Sequence, residues 1–247
     1  GSGFEGHSFG NLFLSALTTI TGSLEKAVQA SSKVLSVQGQ VIPATGTDVM
    51  LWAELENGEK IFGESLIGKS KRPISRIGCL PENPSALPTA LDAIKEADLI
   101  VLGPGSLYTS LLPNLLVPEI VESLLKSDAP KIYISNLMTQ PGETDGLDVY
   151  QHIKSIEKQL SSFGVNSRIF TSILSQIEFE ESSLIDYYRS RGAEPVICDK
   201  RKLISEGYYV LQVPLYARKI TPTLRHDSRR LSRAVMYLYR KIKKANQ

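Results

Sequence analysis

The sequence predicts an α/β protein with a mostly parallel sheet, helices on both faces of that sheet, and a short antiparallel meander before it. After Pro88, segments with helical periodicity alternate with short apolar runs, which is typical of right-handed βαβ units. One of these runs, residues 99–103, is apolar without alternation, as in strands buried on both faces of a parallel sheet. Turn residues recur between short strand-like segments in residues 40–80, which indicates the meander.

Two helices are predicted at the start of the chain. Residues 9–20 are apolar on nearly all sides, which indicates a buried helix that Ser8 caps and Gly22 ends. Ser23 begins a second helix. Its apolar residues at helical spacing are Leu24, Ala27, Val28 and Leu35.

The later elements follow from local patterns. Four short strands are predicted at residues 40–45, 49–55, 60–67 and 74–80, with turns at 46–48 and 56–58. Helices are predicted at 88–98, 117–128, 148–163, 182–191 and 228–244, and Pro88 lies in the first turn of its helix. The strands between them are 99–103, 131–137, 168–174, 195–198 and 208–214. No clean boundary divides the chain, so residues 1–247 are predicted to form a single domain.

The composition excludes several protein classes. The chain has 247 residues, of which 42% are hydrophobic and 22% charged, as in ordinary globular domains. The two cysteines, Cys79 and Cys198, and the three histidines have none of the spacings of disulfide scaffolds or zinc sites, so no metal site is predicted. No stretch is long and apolar enough for a membrane span, and no signal peptide is visible, so a cytoplasmic location is expected.

The charge is unevenly distributed. There are 28 basic and 26 acidic residues, a net charge of +2. Residues 218–247 contain ten Lys or Arg and one acid, Asp227, a balance of +9; the rest of the chain has 18 basic and 25 acidic residues, a balance of −7. The basic end is either an anion-binding surface or a solvated helix face.

The first candidate site follows the predicted strand at residues 99–103. Gly103 and Gly105 would let the backbone approach a phosphate, and Ser106, Thr109 and Ser110 would add hydroxyl donors. The structural alternative is a strand-to-helix turn that needs glycine for its dihedral angles. The segment matches neither a Walker loop nor a complete GxGxxG motif.

The second candidate site, residues 135–146, also follows an apolar strand. Its amides could hold base or sugar edges, and its carboxylates could bind ribose hydroxyls or a metal. The donors and acceptors are Asn136, Thr139, Gln140, Glu143, Thr144 and Asp145. The alternative is that Thr144 or Asp145 caps the helix that begins near Asp148. Because parallel strands end at one edge of a sheet, this loop and the loop at Ser106 are expected to line one crevice.

Two further segments carry candidate residues. His7, Ser8 and Asn11 lie at the head of the first helix, where they either meet a ligand or only cap the helix. Arg225 precedes the last helix and could bind two phosphate oxygens at once, while Asp227 could cap that helix. The sequence contains no serine-elbow motif and no Cys/His pair, so no motif in it indicates catalysis.

Taken together, these segments resemble the YvcK-type gluconeogenesis factors of the CofD-like superfamily, which also contains the 2-phospho-lactate transferases. The resemblance rests on GHSFGN, PATGTDVMLWAELENG, ADLIVLGPGSLYTS, NLMTQPGETDG and RHD, in that order. It implies a Rossmann-like, three-layer α/β fold and a cytoplasmic protein linked to central carbon metabolism, cell-wall synthesis and cell shape. It further implies a UDP-sugar ligand, notably UDP-N-acetylglucosamine, with Tyr188 and Arg225 at the family's binding tyrosine and arginine.

The chain departs from the family pattern at two places. The family's opening GGGTG and ADDGG segments are absent, so the front of the sheet is expected to be incomplete, and Ser175-Gln176-Ile177 stands where the family often has Asn-Asn-Gly. The resemblance also leaves open a CofD-like phospho-transferase, the one case in which Mg²⁺ is implied. A third hypothesis is contact with nucleic acid or a membrane surface through the basic end, although a nucleic-acid partner is not favoured. Whether the chain forms a homo-oligomer is left open.

Overall fold

A computed structural model describes residues 9–34, 38–180, 182–216 and 223–245. Two helices come first, α1 (Phe9–Thr21) and α2 (Leu24–Val34). As predicted, Gly22 ends α1 with a positive φ of 76°, and the Ser23 hydroxyl caps α2 by accepting a hydrogen bond from the Lys26 backbone N at 3.2 Å. The predicted cap Ser8 and the predicted apolar residue Leu35 lie outside the described residues.

The prediction that α1 is buried is wrong. From Leu12 to Ile20 its apolar side chains are half-buried or exposed, and Ile20 is 78% exposed, because α1 packs mainly along α2 and not inside a core. In α2, Ala27 and Val28 are buried as predicted, but Leu24 is exposed. The apolar sequence of α1 therefore does not by itself show whether the helix is buried.

The predicted meander is a three-stranded antiparallel sheet in the order β2-β1-β3, formed by β1 (Met50–Leu55), β2 (Lys60–Phe62) and β3 (Ile74–Leu80). The strand predicted at 40–45 does not form beyond a single bridge between Thr45 and Ala86, since Pro43 has no N–H to donate. The strand predicted at 60–67 stops at Phe62. Gly63 turns the chain with φ 91°, and α3 (Glu64–Ile67) follows.

The parallel sheet is confirmed. After α4 (Pro88–Lys95), four parallel strands occur in the order β4-β5-β6-β7: β4 (Ile100–Leu102), β5 (Lys131–Ile134), β6 (Ser172–Gln176) and β7 (Tyr209–Val213). Between and after them lie α5 (Pro118–Lys126), α6 (Val149–Ser161), α7 (Ser183–Arg189), α8 (Lys200–Ser205) and α9 (Ser228–Ala245). Because β4 is an edge strand, its expected burial on both faces is wrong, and Val101 is 39% exposed.

Helices cover both faces of the parallel sheet, which gives three layers. On one face, Tyr133 of β5 and Ile173 of β6 pack with α5, α6 and the antiparallel sheet. On the other face, Ile132, Ile134 and Leu174 pack with α7 and α9. The alternation along each strand thus divides the core between two layers.

A buried amide joins the antiparallel sheet to the helical layer. The Gln159 side chain of α6 accepts a hydrogen bond from the Ile77 N of β3 and donates one to the Ile77 O, both at 3.0 Å. These two hydrogen bonds give the buried Gln159 amide both a donor and an acceptor partner, and they fix the position of α6 against β3.

Two local predictions need correction. Residues 195–198 form only a bridge between Met138 and Pro195, because Pro195 cannot donate to a strand ladder. Helix α8 is absent from the sequence-based prediction, although Asp199 caps it by accepting from the Lys202 N at 3.0 Å. Within the described part of the chain, no helix is long and apolar enough to cross a membrane.

Candidate functional site

The two glycine-rich and polar loops predicted to form a crevice lie at the same edge of the sheet. Strands β4 and β5 are parallel neighbours, with Leu102 paired to Tyr133, so the chain leaves both strands at their shared carboxyl edge. The loop that contains Ser106 follows β4, and the loop that begins at Asn136 follows β5. Ser106 and Asn136 therefore follow neighbouring strands at the same edge of the sheet, as predicted.

Gly103 fits the structural alternative, in which the turn after the strand needs glycine for its dihedral angles. Its φ is +89°, and a Cβ at this position would lie 2.8 Å from the Ile134 carbonyl oxygen. Gly105 has no positive φ, and a Cβ there would meet its nearest neighbour, the Ser110 Cβ, at 3.4 Å. Gly103 is therefore required for the loop after β4 to approach the end of β5.

Ser106 joins the two loops through its hydroxyl. It caps the helical turn Leu107–Leu111 and donates to Glu143 Oε2 at 2.5 Å, while its oxygen lies 2.6 Å from the Thr109 hydroxyl. Because Ser106 donates to the carboxylate, Thr109 supplies the proton in the second bond. Ser110 is exposed, and its backbone N donates to the Ser106 O at 3.0 Å.

Two threonines of the loop after β5 form structural hydrogen bonds, one within the loop and one to the segment after α7. The Thr139 hydroxyl accepts from the Glu194 N at 2.8 Å, and the Thr144 hydroxyl accepts from the Gln140 N at 2.8 Å. Both threonines are buried, whereas Asn136 is half-buried at the edge. Within the described residues the buried Gln140 Oε1 has no hydrogen-bond partner.

The alternative prediction, that Thr144 or Asp145 caps α6, is wrong. Asp148 itself caps α6 through a capping box, accepting from the Gln151 N at 2.7 Å while the Gln151 side chain accepts from the Asp148 N. Asp145 instead accepts from the Gly142 N at 2.7 Å. Neither Thr144 nor Asp145 is needed to begin the helix, because the capping box satisfies its first donors.

The segment before α9 also reaches this edge. His226 pairs with Tyr216 in an isolated bridge, and its ring lies against the backbone of Ser135, the residue after β5. Burial lowers the pKa of His226, and a hydrogen bond to the Ser135 backbone opposes that shift. The ring is therefore neutral at pH 7.

Tyr188 and Arg225 are brought close together in the fold. The Tyr188 hydroxyl, on α7, accepts a hydrogen bond from the backbone N of Leu224 at 2.8 Å, directly before the exposed Arg225. Asp227 caps α9, as predicted, by accepting from the backbone N of Arg229 and of Arg230 at 3.0 Å each. The hydrogen bond from the Arg230 backbone is the largest cause of the lowered pKa of Asp227.

A cavity of about 720 Å³ opens at the carboxyl end of β6, between the loops after β5 and β6 and helix α7. Sequence reasoning missed the buried Gln176 in its wall, whose Oε1 accepts from the Leu215 N at 2.6 Å, and the buried hydroxyl pair Ser135–Ser175 at 3.0 Å beside it. A run of polar residues at the end of an apolar strand was the available signal. Other lining residues are Thr139, Glu178, Ile185, Arg189 and Glu194.

The remaining predicted residues belong to the first segment. His7 and Ser8 lie outside the described residues, and the same holds for the side chain of Asn11, whose backbone is in the first turn of α1. Their contribution to a ligand site stays a prediction. The described residues include no group of three or more His, Cys, Asp or Glu that could hold a metal ion.

Comparison with known proteins identifies the family. Residues 1–216 match the family described as 2-phospho-L-lactate transferase CofD. Two proteins named gluconeogenesis factor are similar: one from Halalkalibacterium halodurans, 41% identical over 96% of this chain, and one from Bacillus subtilis, 40% identical over 94%. A relative from Nostoc sp. is 46% identical over 97% of this chain.

The chain spans 52% of the Nostoc relative and 71% of the other two. A crystal structure of a Bacillus halodurans protein of the UPF0052 family superposes with a TM-score of 0.85 at 40% identity, over 96% of this chain and 74% of that one. The chain therefore belongs to the CofD family and, within it, to the YvcK-type gluconeogenesis factors.

Proposed function

We propose that this chain is the nucleotide-sugar-binding part of a regulatory protein, and that a UDP-sugar such as UDP-N-acetylglucosamine binds at the carboxyl edge of the parallel sheet. Through that ligand the protein would link central carbon metabolism to cell-wall synthesis and cell shape, in the cytoplasm. The proposal assigns no turnover to the chain. It extends the gluconeogenesis-factor name of its relatives to a particular ligand and a particular edge of the fold.

The observation that carries the proposal is the hydrogen bond between the Tyr188 hydroxyl and the Leu224 backbone N. It joins α7 to the segment before α9, so a tyrosine and an arginine that are 37 residues apart share one edge. His226, next in the chain, contacts the end of β5. Its two neighbours in the chain thus tie Arg225 to α7 and to the end of β5, while Arg225 itself is exposed.

The chemistry of this edge suits a diphosphate and a sugar. Arg225 offers a planar pair of donors for phosphate oxygens. The half-buried Asn136 offers an amide, and the turn that begins after Ser106 offers backbone N–H groups. The cavity of about 720 Å³ beside Gln176 is in the size range of small-ligand sites.

Arg225→Ala tests the proposal. A charged hydrogen bond is worth about 1.5–3 kcal/mol, so the variant should bind UDP-N-acetylglucosamine about 10- to 100-fold more weakly. Isothermal titration calorimetry of the intact protein measures the dissociation constant. The melting temperature of the unliganded protein should stay nearly unchanged, because Arg225 is exposed.

Arg229→Ala is the matched control, since Arg229 is an exposed arginine four residues further along, on α9. Its affinity should equal that of the parent. Equal affinity of the Arg225 variant and the parent would refute the placement of the diphosphate, and a joint loss of stability and binding would make Arg225 a structural residue.

A CofD-like phospho-transferase is the second candidate, favoured by the family match over residues 1–216. In the described residues the two carboxylates of the loop after β5 accept hydrogen bonds, Glu143 from the Ser106 hydroxyl and Asp145 from the Gly142 N, and no group of three or more His, Cys, Asp or Glu could hold a metal ion. These residues do not fit a Mg²⁺ site, so we derive no step through the metal. An assay for phosphate transfer with added Mg²⁺ separates the two candidates, since turnover would favour the transferase.

A further inference from the structure

The outward face of α9 carries a straight row of basic side chains. Arg229, Arg233, Arg240 and Lys244 are spaced by four, seven and four residues, so at 3.6 residues per turn they lie within about 60° of one another. All four are exposed. At 1.5 Å per residue the row is about 22 Å long.

The orientation of this row is fixed by the opposite face of the helix. Ala234 and Leu238 are buried against β5 and β6 in the core layer under the sheet, at 8% and 0% exposure. Leu231, Val235 and Ile242 pack around them. The basic row therefore points away from the protein body.

The positive charge of the row is not balanced by acidic partners in the part of the chain that the structure describes. Helix α9 contains no Asp or Glu, and none of the ion pairs formed among the described residues involves its four row residues. Lys243, at one side of the row, has its pKa raised by the Tyr239 hydroxyl, with a smaller influence from Asp98. A row of exposed cations of this kind attracts an anionic partner.

The middle of the row is amphipathic. Met236 and Tyr237 are 43% and 49% exposed, between Arg233 and Arg240. An apolar side chain and a tyrosine flanked by arginines suit the boundary between lipid headgroups and acyl chains, where such residues are enriched. Met236 and Tyr237 thus add apolar area to the middle of the basic row.

We propose that this face of α9, defined by Arg229, Arg233, Met236, Tyr237, Arg240 and Lys244, docks the protein on a membrane surface of anionic lipids. The row runs along one side of the helix and points away from the protein body, so all its residues can meet one surface. Residues 1–217, with 18 basic and 25 acidic residues, are repelled by the same surface and so orient α9 toward it.

Vesicle co-sedimentation of the intact protein tests this proposal. We expect binding to vesicles of phosphatidylglycerol and phosphatidylcholine, no binding to phosphatidylcholine alone, and loss of binding as the salt concentration rises. Arg233→Glu with Arg240→Glu should lower binding at least about tenfold, since both charges of the pair are reversed. Met236→Ser should lower it less steeply and leave the salt dependence unchanged.

The matched control is Lys95→Glu with Arg201→Glu, which reverses two exposed basic residues on α4 and α8 and changes the net charge equally. It should bind like the parent, and circular dichroism should give all variants the same folded signal. Equal loss in the control would reduce the effect to net charge and overturn the proposal. Absence of binding to anionic vesicles, or tighter binding to duplex DNA than to vesicles at equal salt, would overturn it too.

Discussion

Tyr188 holds the backbone next to Arg225 through its hydroxyl. Its ring packs in the core layer with α9, and its hydroxyl accepts from the Leu224 N at 2.8 Å. Arg225 follows in the chain, so the hydroxyl limits the freedom of the arginine's backbone. In the proposed site, Tyr188 therefore acts as a positioning residue for Arg225.

Tyr188→Phe should weaken UDP-sugar binding while keeping the ring packing. The variant removes one hydrogen bond, worth about 0.5–1.5 kcal/mol, and leaves the Leu224 N–H without its acceptor. We expect a small fall in melting temperature and a several-fold rise in the dissociation constant, measured by calorimetry. Tyr187→Phe is the control, because the adjacent Tyr187 is exposed; an equal effect of the two changes would exclude a specific role of the Tyr188 hydroxyl.

His152 makes stability depend on pH. The side chain is fully buried in α6 with Nδ1 2.8 Å from the Asp148 carbonyl O, and burial lowers its pKa. The unfolded chain, with a pKa of about 6.5, therefore binds more protons than the folded one below that pH. The contribution of the neutral, buried His152 to the free energy of unfolding is therefore full at pH 7 and is lost as the pH falls below about 6.5.

His152→Gln should reduce this pH dependence. Denaturant unfolding at pH 7 and at pH 5 gives the free energy of unfolding for parent and variant, and the difference between the two pH values should be smaller in the variant. His226, whose pKa is also lowered by burial, would leave a residual dependence. Identical pH differences in both proteins would show that His152 keeps an ordinary pKa when folded.

Among the elements, the turn after β4 depends on one glycine. Gly103→Ala would force an L-residue to φ +89° and bring its Cβ to 2.8 Å from the Ile134 O, so the turn must move. We expect a loss of more than about 1 kcal/mol in stability together with weaker ligand binding. Gly105→Ala, with no positive φ and its nearest contact at 3.4 Å, should change both far less; the reverse order of effects would contradict this assignment.

The sequence predicts those elements whose pattern is local. The apolar runs at β4 and β5 and the helices between them alternate regularly, so the parallel sheet and the common edge of its loops could be inferred. Non-local facts could not be inferred. Neither the exposure of α1 nor the edge position of β4 is encoded in the residues of those segments, since both depend on which neighbours pack against them.

The candidate site shows the same division. Ser106 and Asn136 could be assigned to one edge because each follows a strand, whereas the Ser106–Glu143 bond and the Tyr188–Leu224 bond join residues 37 and 36 positions apart. A hydrogen bond between loops leaves no periodic trace in a sequence. Within loop 135–146, Thr144 accepts a hydrogen bond from the loop itself and Thr139 accepts one from Glu194, and neither partner could be inferred from the sequence.

At the scale of the whole molecule, the proposed ligand site and the basic row of α9 are separate surfaces. One face of the helix lies in the core layer below the sheet edge that carries the proposed ligand, and the other points outward with its basic row. The residues of the row lie along the helix, and those of the edge lie before it. Sites without shared partners contribute independently to stability.

Ligand stabilisation should therefore survive charge reversal on α9. At a UDP-sugar concentration 100 times the dissociation constant, binding adds about 2.7 kcal/mol, which raises the melting temperature of a domain of this size by several degrees. Arg233→Glu with Arg240→Glu should show the full rise, and Arg225→Ala should show much less of it at the same concentration. Differential scanning calorimetry with and without ligand measures both. If charge reversal on α9 abolished the rise, the ligand would contact the basic row, and the proposed UDP-sugar site and the proposed lipid-binding face would be one surface.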